Sequence, residues 1–197
     1  MIFFDRVTKE FLNGVKAIND LTLDISPGEF VFVTGRSGAG KTTLLRLLLR
    51  EFLPTSGTIY LDKTDIGQLT GRQIPELRRQ IGSVFQDFKL LPDRTVAENI
   101  GLSLEILSSP EAAIAERVDH LLGMVNLGNK GELFPSQLSG GELQRTVIAR
   151  ALAPEPKVIF ADEPTGNLDP ATAKSIVGLL EDIHQLGTTV IMATHNQ

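Results

Sequence analysis

Residues 35–43 read GRSGAGKTT and follow directly on FVFVT at 30–34, a run of aromatic and β-branched residues with the composition of a buried strand. Strand, glycine loop, helix is the order that a phosphate cradle requires. Gly35, Gly38 and Gly40 let the backbone curl through positive φ and approach a polyanion, so that successive N–H groups point into one concavity. The whole run of Gly35, Arg36, Ser37, Gly38, Ala39, Gly40, Lys41, Thr42 and Thr43 is read as the cradle. The Lys41 ammonium can reach β- and γ-phosphates, the Thr42 hydroxyl can ligate Mg²⁺, and the helix starting there presents its positive dipole end. The plainer alternative is a glycine-rich turn before a helix. The complete G-x-x-x-x-G-K-[ST] match in its proper context favours a nucleoside triphosphate site.

Bulk properties agree with one compact domain. The chain has 197 residues, 42% of them hydrophobic, and no cysteine, which excludes disulfides and thiolate-bound zinc. Its apolar stretches are far shorter than the roughly 18 residues needed to span a bilayer, so membrane association is expected to come through a partner. The start, MIFFDRVTKEF, lacks the pattern of a signal peptide. A net charge of −5 gives no general attraction to nucleic acid.

Along the chain, strands are expected at 3–7, 21–25, 30–34 and 58–61, with Pro27 and Gly28 turning between the second and third. The leucine-dense stretch 42–52 reads as a helix ended by Pro54. Residues 95–153 are mainly helical, with breaks at Ser109-Pro110 and 128–131, and look like an inserted lobe. Short apolar strands then return at 158–161 and 188–193 around a helix over 170–186. Parallel strands joined by helices complete a P-loop core.

VIFADE at 158–163 is an apolar strand that delivers carboxylates at its end. Mg²⁺ on a triphosphate needs a hard oxygen ligand there, a role for Asp162. Glu163, one residue further on, is placed to orient or deprotonate a water for in-line attack on a γ-phosphate. Alone, an acidic pair would more simply start a loop. LSGGE at 138–142 precedes the helical pattern LQRTVIARALA, and Ser139 with Glu142 forms an S-x-x-E capping box. That local pattern needs only a capped helix. Yet the consecutive Gly140 and Gly141 cost helix stability and leave N–H groups uncovered, which makes sense if an anion comes close. One chain thus carries two phosphate-seeking helix starts, and a single γ-phosphate could use both if a second copy contributed the LSGGE end. Arg145 and Arg150, further along that helix, are read as solvated or lobe-packing charges.

The set GRSGAGKTT, Gln86 in VFQD, LSGGE, VIFADE, NLD at 167–169 and His195, in that order, resembles the ATP-binding cassette ATPase family over nearly the whole chain. The resemblance implies an α/β fold: a RecA-like P-loop NTPase core with an N-terminal antiparallel β subdomain and an inserted α-helical subdomain. The core would comprise 1–86 and 154–197, the helical part 87–153. It further implies ATP and Mg²⁺ as cofactors, and an ATP-dependent head-to-tail homodimer. Each ATP would lie between the P-loop of one subunit and Ser139, Gly140, Gly141 and Glu142 of the other. By the same resemblance Thr42, Gln86 and Asp162 serve the metal, Gln86 marks the junction with the helical lobe, and His195 contacts the γ-phosphate. Asp169 lies at the dimer seam, where it also suits a helix cap before Pro170. Phe11 matches an aromatic position that stacks on adenine, usually tyrosine; phenylalanine keeps the π-face and loses only a hydroxyl.

Residues 74–99, IPELRRQIGSVFQDFKLLPDRTVAEN, are similar to the bacterial cell-division branch of that family. Its members work with a membrane protein of FtsX type at the cytoplasmic face of the cell membrane and signal to peptidoglycan hydrolases. Lipoprotein-release and macrolide-efflux ATPases share much of the pattern, including DEPTGNLD, and form the alternative. A DNA-repair or chromosome-organising ATPase would place long coiled coils between the two halves, and 43–137 has no sustained heptads. A translation-associated member would need two P-loops. Family members usually continue past the histidine at 195, which leads to the expectation of a truncated C-terminal end and a monomer with weak hydrolysis.

Overall fold

The computed structural model describes residues 1–195; Asn196 and Gln197 lie outside the described residues. Among the described residues, two four-stranded sheets organise the molecule. The first is antiparallel, in the order β2-β1-β4-β5, from β1 (Ile2–Glu10), β2 (Lys16–Ile25), β4 (Ser56–Leu61) and β5 (Thr64–Asp65). The second is parallel, in the order β3-β8-β7-β6, from β3 (Phe30–Thr34), β8 (Thr189–Thr194), β7 (Val158–Asp162) and β6 (Ile81–Val84). The helices are α1 (Lys41–Leu48), α2 (Ile74–Arg79), α3 (Val96–Ile106), α4 (Glu111–Met124), α5 (Gly140–Leu152) and α6 (Pro170–Gln185).

The parallel sheet is covered on both faces, and its side chains alternate between two cores. Ile159 and Ala161 of β7, with Val190 and Met192 of β8, face a core built with α3–α6. Val158 and Phe160, with Ile191 and Ala193, face a second core formed with α1 and the antiparallel sheet. Leu44, Leu45, Leu47 and Leu48 of α1 all enter that second core, each burial stabilising by about 1.5–3 kcal/mol. Strand register then sets the site. Thr34 pairs with Thr194, and Asp162 with Ala193, so the carboxyl ends of β3, β8 and β7 finish level. The residues that follow them, Gly35, His195 and Glu163, emerge along one edge of the sheet, which is where open parallel sheets bind ligands.

Two expectations need correction. The strand at 30–34 is present but lies at the edge of its sheet among the described residues, pairing with β8, and its Phe32 is 54% exposed. Phe32 rests on Phe30, with ring centroids 4.9 Å apart, and Phe30 in turn stacks on His184. Its apolar composition therefore reflects alternation on an edge and not complete burial. The helix read over 42–52 ends at Leu48, well before Pro54. Arg50 takes a left-handed conformation (φ 57) and its guanidinium donates to the carbonyls of Ile66 and Gly67, while the Glu51 N–H returns to the Arg46 carbonyl. That is a Schellman ending with arginine where glycine is usual. Finally, β5, α2 and β6 were not read from the sequence, being too short to display a period.

Candidate active site

After β3 the chain turns through Gly38 (φ 81) and Gly40 (φ 92) before entering α1 with no side-chain cap. Glycine at position 40 is obligatory, because a Cβ would lie 2.2 Å from the Ala17 carbonyl oxygen of β2. Lys41 is buried beneath the loop. Its ammonium donates to the carbonyls of Gly35 (2.8 Å) and Arg36 (3.2 Å) and pairs with Glu163 Oε1 at 3.2 Å. Glu163 Oε2 lies 2.9 Å from His195 Nδ1, so the carboxylate bridges a lysine and a histidine. Glu163 itself is left-handed (φ 51), held by its N–H to the Ala193 carbonyl and by its own carbonyl accepting from Gly166 N–H.

Asp162, at the end of β7, is buried. Burial pushes its carboxyl up from the usual range, opposed by the Thr42 side chain hydrogen-bonded to it. Oδ1 has no hydrogen-bond partner among the described residues. Thr42, Gln86, Asp162 and Asn167 share an open cleft of about 350 Å³. The Gln86 amide also borders Gly166, where a Cβ would come within 3.3 Å of Nε2 and 3.7 Å of Glu163 Oε2.

Ser139, Gly140, Gly141 and Glu142 lie in a second cleft, of about 460 Å³, together with Asp169; Asn167 lines both. The capping box at the start of α5 is formed: Ser139 N–H donates to Glu142 Oε2 (2.8 Å) and Glu142 N–H to Ser139 Oγ (3.4 Å). The Lys130 ammonium sits 2.5 Å from Glu142 Oε1, and this hydrogen bond, more than the capping ones, pulls the Glu142 pKa down to about 2. Gly141 has a packing reason as well, since a Cβ there would meet Thr172 Cγ2 at 2.5 Å. Asp169 caps α6, Oδ1 accepting from the N–H groups of Ala171 and Thr172 at 3.1 Å. Phe11 sits in the turn of the β1–β2 hairpin, whose Ala17 abuts Gly40. Its ring meets Phe52 edge-on at 5.5 Å, with the Lys9 ammonium 5.4 Å from its centroid.

Residues 18–166 match the family model described as ABC transporter. The chain belongs to the ABC transporter family. Similar relatives include the cell division ATP-binding protein FtsE of Bacillus subtilis, 49% identical, and that of Mycobacterium tuberculosis, 48% identical. Each alignment covers 100% of this chain and 86% of the relative. Among solved structures, a dimeric ATP-binding cassette in a post-hydrolysis state bound to ADP and Pi superposes with a TM-score of 0.90 at 36% identity. It covers 100% of this chain and 88% of that one.

The ABC domain thus brings Lys41, Thr42, Gln86, Asp162, Glu163 and His195 together and keeps the 139–142 segment in a neighbouring cleft. The donor set suits Mg²⁺: Asp162 offers a buried carboxylate oxygen with no hydrogen-bond partner among the described residues, beside the hydroxyl of Thr42 and the amide of Gln86. Hard oxygen ligands of this kind match a small divalent cation that completes its shell with phosphate and water. No helix among the described residues is long and apolar enough to cross a membrane. Arg145 and Arg150 pack rather than float: Arg145 bridges the Val125 carbonyl and Ser175 Oγ, and Arg150 donates to the carbonyls of Phe88 and Lys89. Those contacts and the Lys130–Glu142 pair were missed because nothing local in the sequence signals them.

Proposed function

We propose that this chain is the ATP-hydrolysing subunit of a bacterial cell-division assembly, acting as a head-to-tail homodimer on a membrane protein of FtsX type. It would lie at the cytoplasmic face of the membrane through that partner. Identity of 45–49% over 96–100% of this chain to proteins named FtsE supports the cell-division branch. For the chemistry, the carrying observation is Glu163, whose two oxygens are held by Lys41 and His195 beside an Asp162 oxygen that has no partner among the described residues.

In this reading the backbone N–H groups of 35–43 bind the phosphates, with Phe11 under the base. Thr42, Gln86 and Asp162 would hold Mg²⁺, which when bound would offset charge on the phosphate oxygens. The Lys41 ammonium exchanges the Gly35 and Arg36 carbonyls for β- and γ-phosphate oxygens, and this loosens its hold on Glu163. Glu163 Oε then accepts a proton from water as the water oxygen attacks the γ-phosphorus. The bond to the bridging oxygen breaks, leaving ADP and phosphate. His195 fixes the second carboxylate oxygen and faces the γ-phosphate. Ser139, Gly140, Gly141 and Glu142 of a second copy close over that phosphate, with Asp169 at the seam. The domain divides accordingly into a core of 1–86 with 154–197 and a helical part of 87–153.

The test is Glu163→Gln together with affinity purification of the intact protein from membranes. The variant is expected to bind ATP, dimerise on it, and lose turnover by about 10² or more. Co-purification of a lipoprotein-release or efflux permease in place of an FtsX-type protein would move the chain to the alternative branch. Undiminished turnover in Glu163→Gln would remove the assigned base.

A further inference from the structure

The turn that follows Gln86 is built in an unusual way. Phe88 (φ 55) and Lys89 (φ 51) are consecutive non-glycine residues in the left-handed region. Such residues are uncommon singly, and each persists only where its surroundings enforce it. Two contacts do so. The Lys89 ammonium folds back over the Phe85 ring, 3.7 Å from its centroid, closing the turn around Gln86 and Asp87. Arg150, in the last turn of α5, reaches across 62 residues of sequence: Nη2 donates to the Phe88 carbonyl at 2.8 Å and Nη1 to the Lys89 carbonyl at 2.6 Å. One planar fork therefore holds the carbonyls of both left-handed residues. A lysine, with a single ammonium, lacks that paired geometry.

Both ends of this connection reach the two clefts. Gln86 lines the cleft of Thr42 and Asp162, and its amide borders the Gly166 position beside Glu163. Helix α5 begins at the Ser139–Glu142 capping box, eleven residues before Arg150, or about 16 Å along the axis. Its buried flank, including Val147, Ile148 and Ala151, belongs to the core shared with the parallel sheet. We propose that Arg150 is a positioning residue that locks the Gln86 turn to α5. Placement of Gln86 at one cleft and of the 139–142 segment at the other are then set together. The proposal rests on the ATPase reading above and adds to it the element through which occupancy at Gln86 is passed to α5. Burial draws the guanidinium pKa below its usual range, yet the group stays charged, as its two carbonyl partners require.

The test is a double-mutant cycle in the full chain, with steady-state ATPase measured against both ATP and Mg²⁺ concentration. Arg150→Gln is expected to lower kcat about tenfold and to raise the half-saturating Mg²⁺ about threefold. ATP binding measured without Mg²⁺ should stay within about twofold, the pattern of a misplaced group and not of a lost binding surface. Arg150→Lys should recover part of the loss, since one carbonyl can still be held. In a Gln86→Ala background, Arg150→Gln should cost little more, because both changes remove the same placement. Additive losses, or an unchanged Mg²⁺ dependence, overturn the positioning role while leaving the ATPase reading intact. If Arg150→Gln does not fold, the cycle is run with Arg150→Lys. A wild-type chain without Mg²⁺-dependent turnover overturns both.

Discussion

The Asp162 carboxylate lies buried at the end of β7, with one oxygen bonded to Thr42 and Oδ1 bonded to nothing among the described residues. Its pKa is raised, chiefly by burial, so the folded protein holds this proton more tightly than the unfolded chain does. The native state therefore pays no penalty below the unfolded value of about 3.9, and loses stability as pH rises from there through the raised folded pKa. Asp162→Asn should stabilise the nucleotide-free protein at pH 7 by about 1 kcal/mol, roughly 2–4 °C in Tm for a chain of this size. The gain should close below about pH 4, and ATPase activity should fall by about 10² or more. Thermal melts at the two pH values check the first part. A variant less stable than the parent at pH 7 would show that the buried oxygen is not under strain. Lys41 makes a complementary case. Its ammonium already has two carbonyls and a carboxylate as partners. Lys41→Ala should abolish ATP binding or turnover and also leave Glu163 with His195 alone, which titration calorimetry and turnover assays read separately.

At the scale of elements, α5 shows which features a sequence displays and which it hides. The Ser139–Glu142 box, the glycine loop before α1 and the acidic end of β7 are legible because each is a local rule. A cap, a positive φ or a strand-end ligand demands a particular residue type within a few positions. The edge position of β3, the left-handed stop at Arg50 and the grip of Arg150 on Phe88 and Lys89 depend on residues far apart in sequence, and no periodicity announces them. Gly141, read with Gly140 as leaving N–H groups open to an anion, also has a packing reason that is long-range: a Cβ there would meet Thr172 at 2.5 Å. Lys130 belongs with the hidden group, and it carries a pH prediction. Because the folded pKa of Glu142 is depressed to about 2, its contribution to stability is complete above the ordinary glutamate value of 4.5 and disappears as pH falls towards 2. Both side chains are partly exposed, so the pair is worth less than about 1 kcal/mol. Glu142→Gln, which keeps the cap acceptor but not the charge, should melt lower than the parent at pH 7 and match it near pH 2. An unchanged difference across that range would mean that the ion pair contributes nothing.

For the whole molecule, the two clefts pose a geometric question that one subunit answers only in part. Thr42, Gln86 and Asp162 line one cleft while Ser139, Gly140 and Gly141 line the other, with Asn167 on the boundary of both. If the second cleft serves the nucleotide of another copy, as in the proposed head-to-tail dimer, the two can be separated by a change that burdens only one. Ser139→Arg places bulk and positive charge at the start of α5 and removes a cap worth about 1 kcal/mol, while leaving the 35–43 loop untouched. ATP binding to the monomer should remain within about threefold, because the interactions made by Lys41 and the loop N–H groups are unaltered. Turnover should fall by about 10² or more, the scale for losing preorganised donors at a transferring phosphoryl group, and ATP should no longer drive dimerisation in the Glu163→Gln background. Size-exclusion chromatography with light scattering, with and without ATP, reads the second effect directly. A Ser139→Arg protein that still turns over ATP and still dimerises would reduce the 139–142 segment to a helix cap, and the second cleft to a groove between α5 and α6.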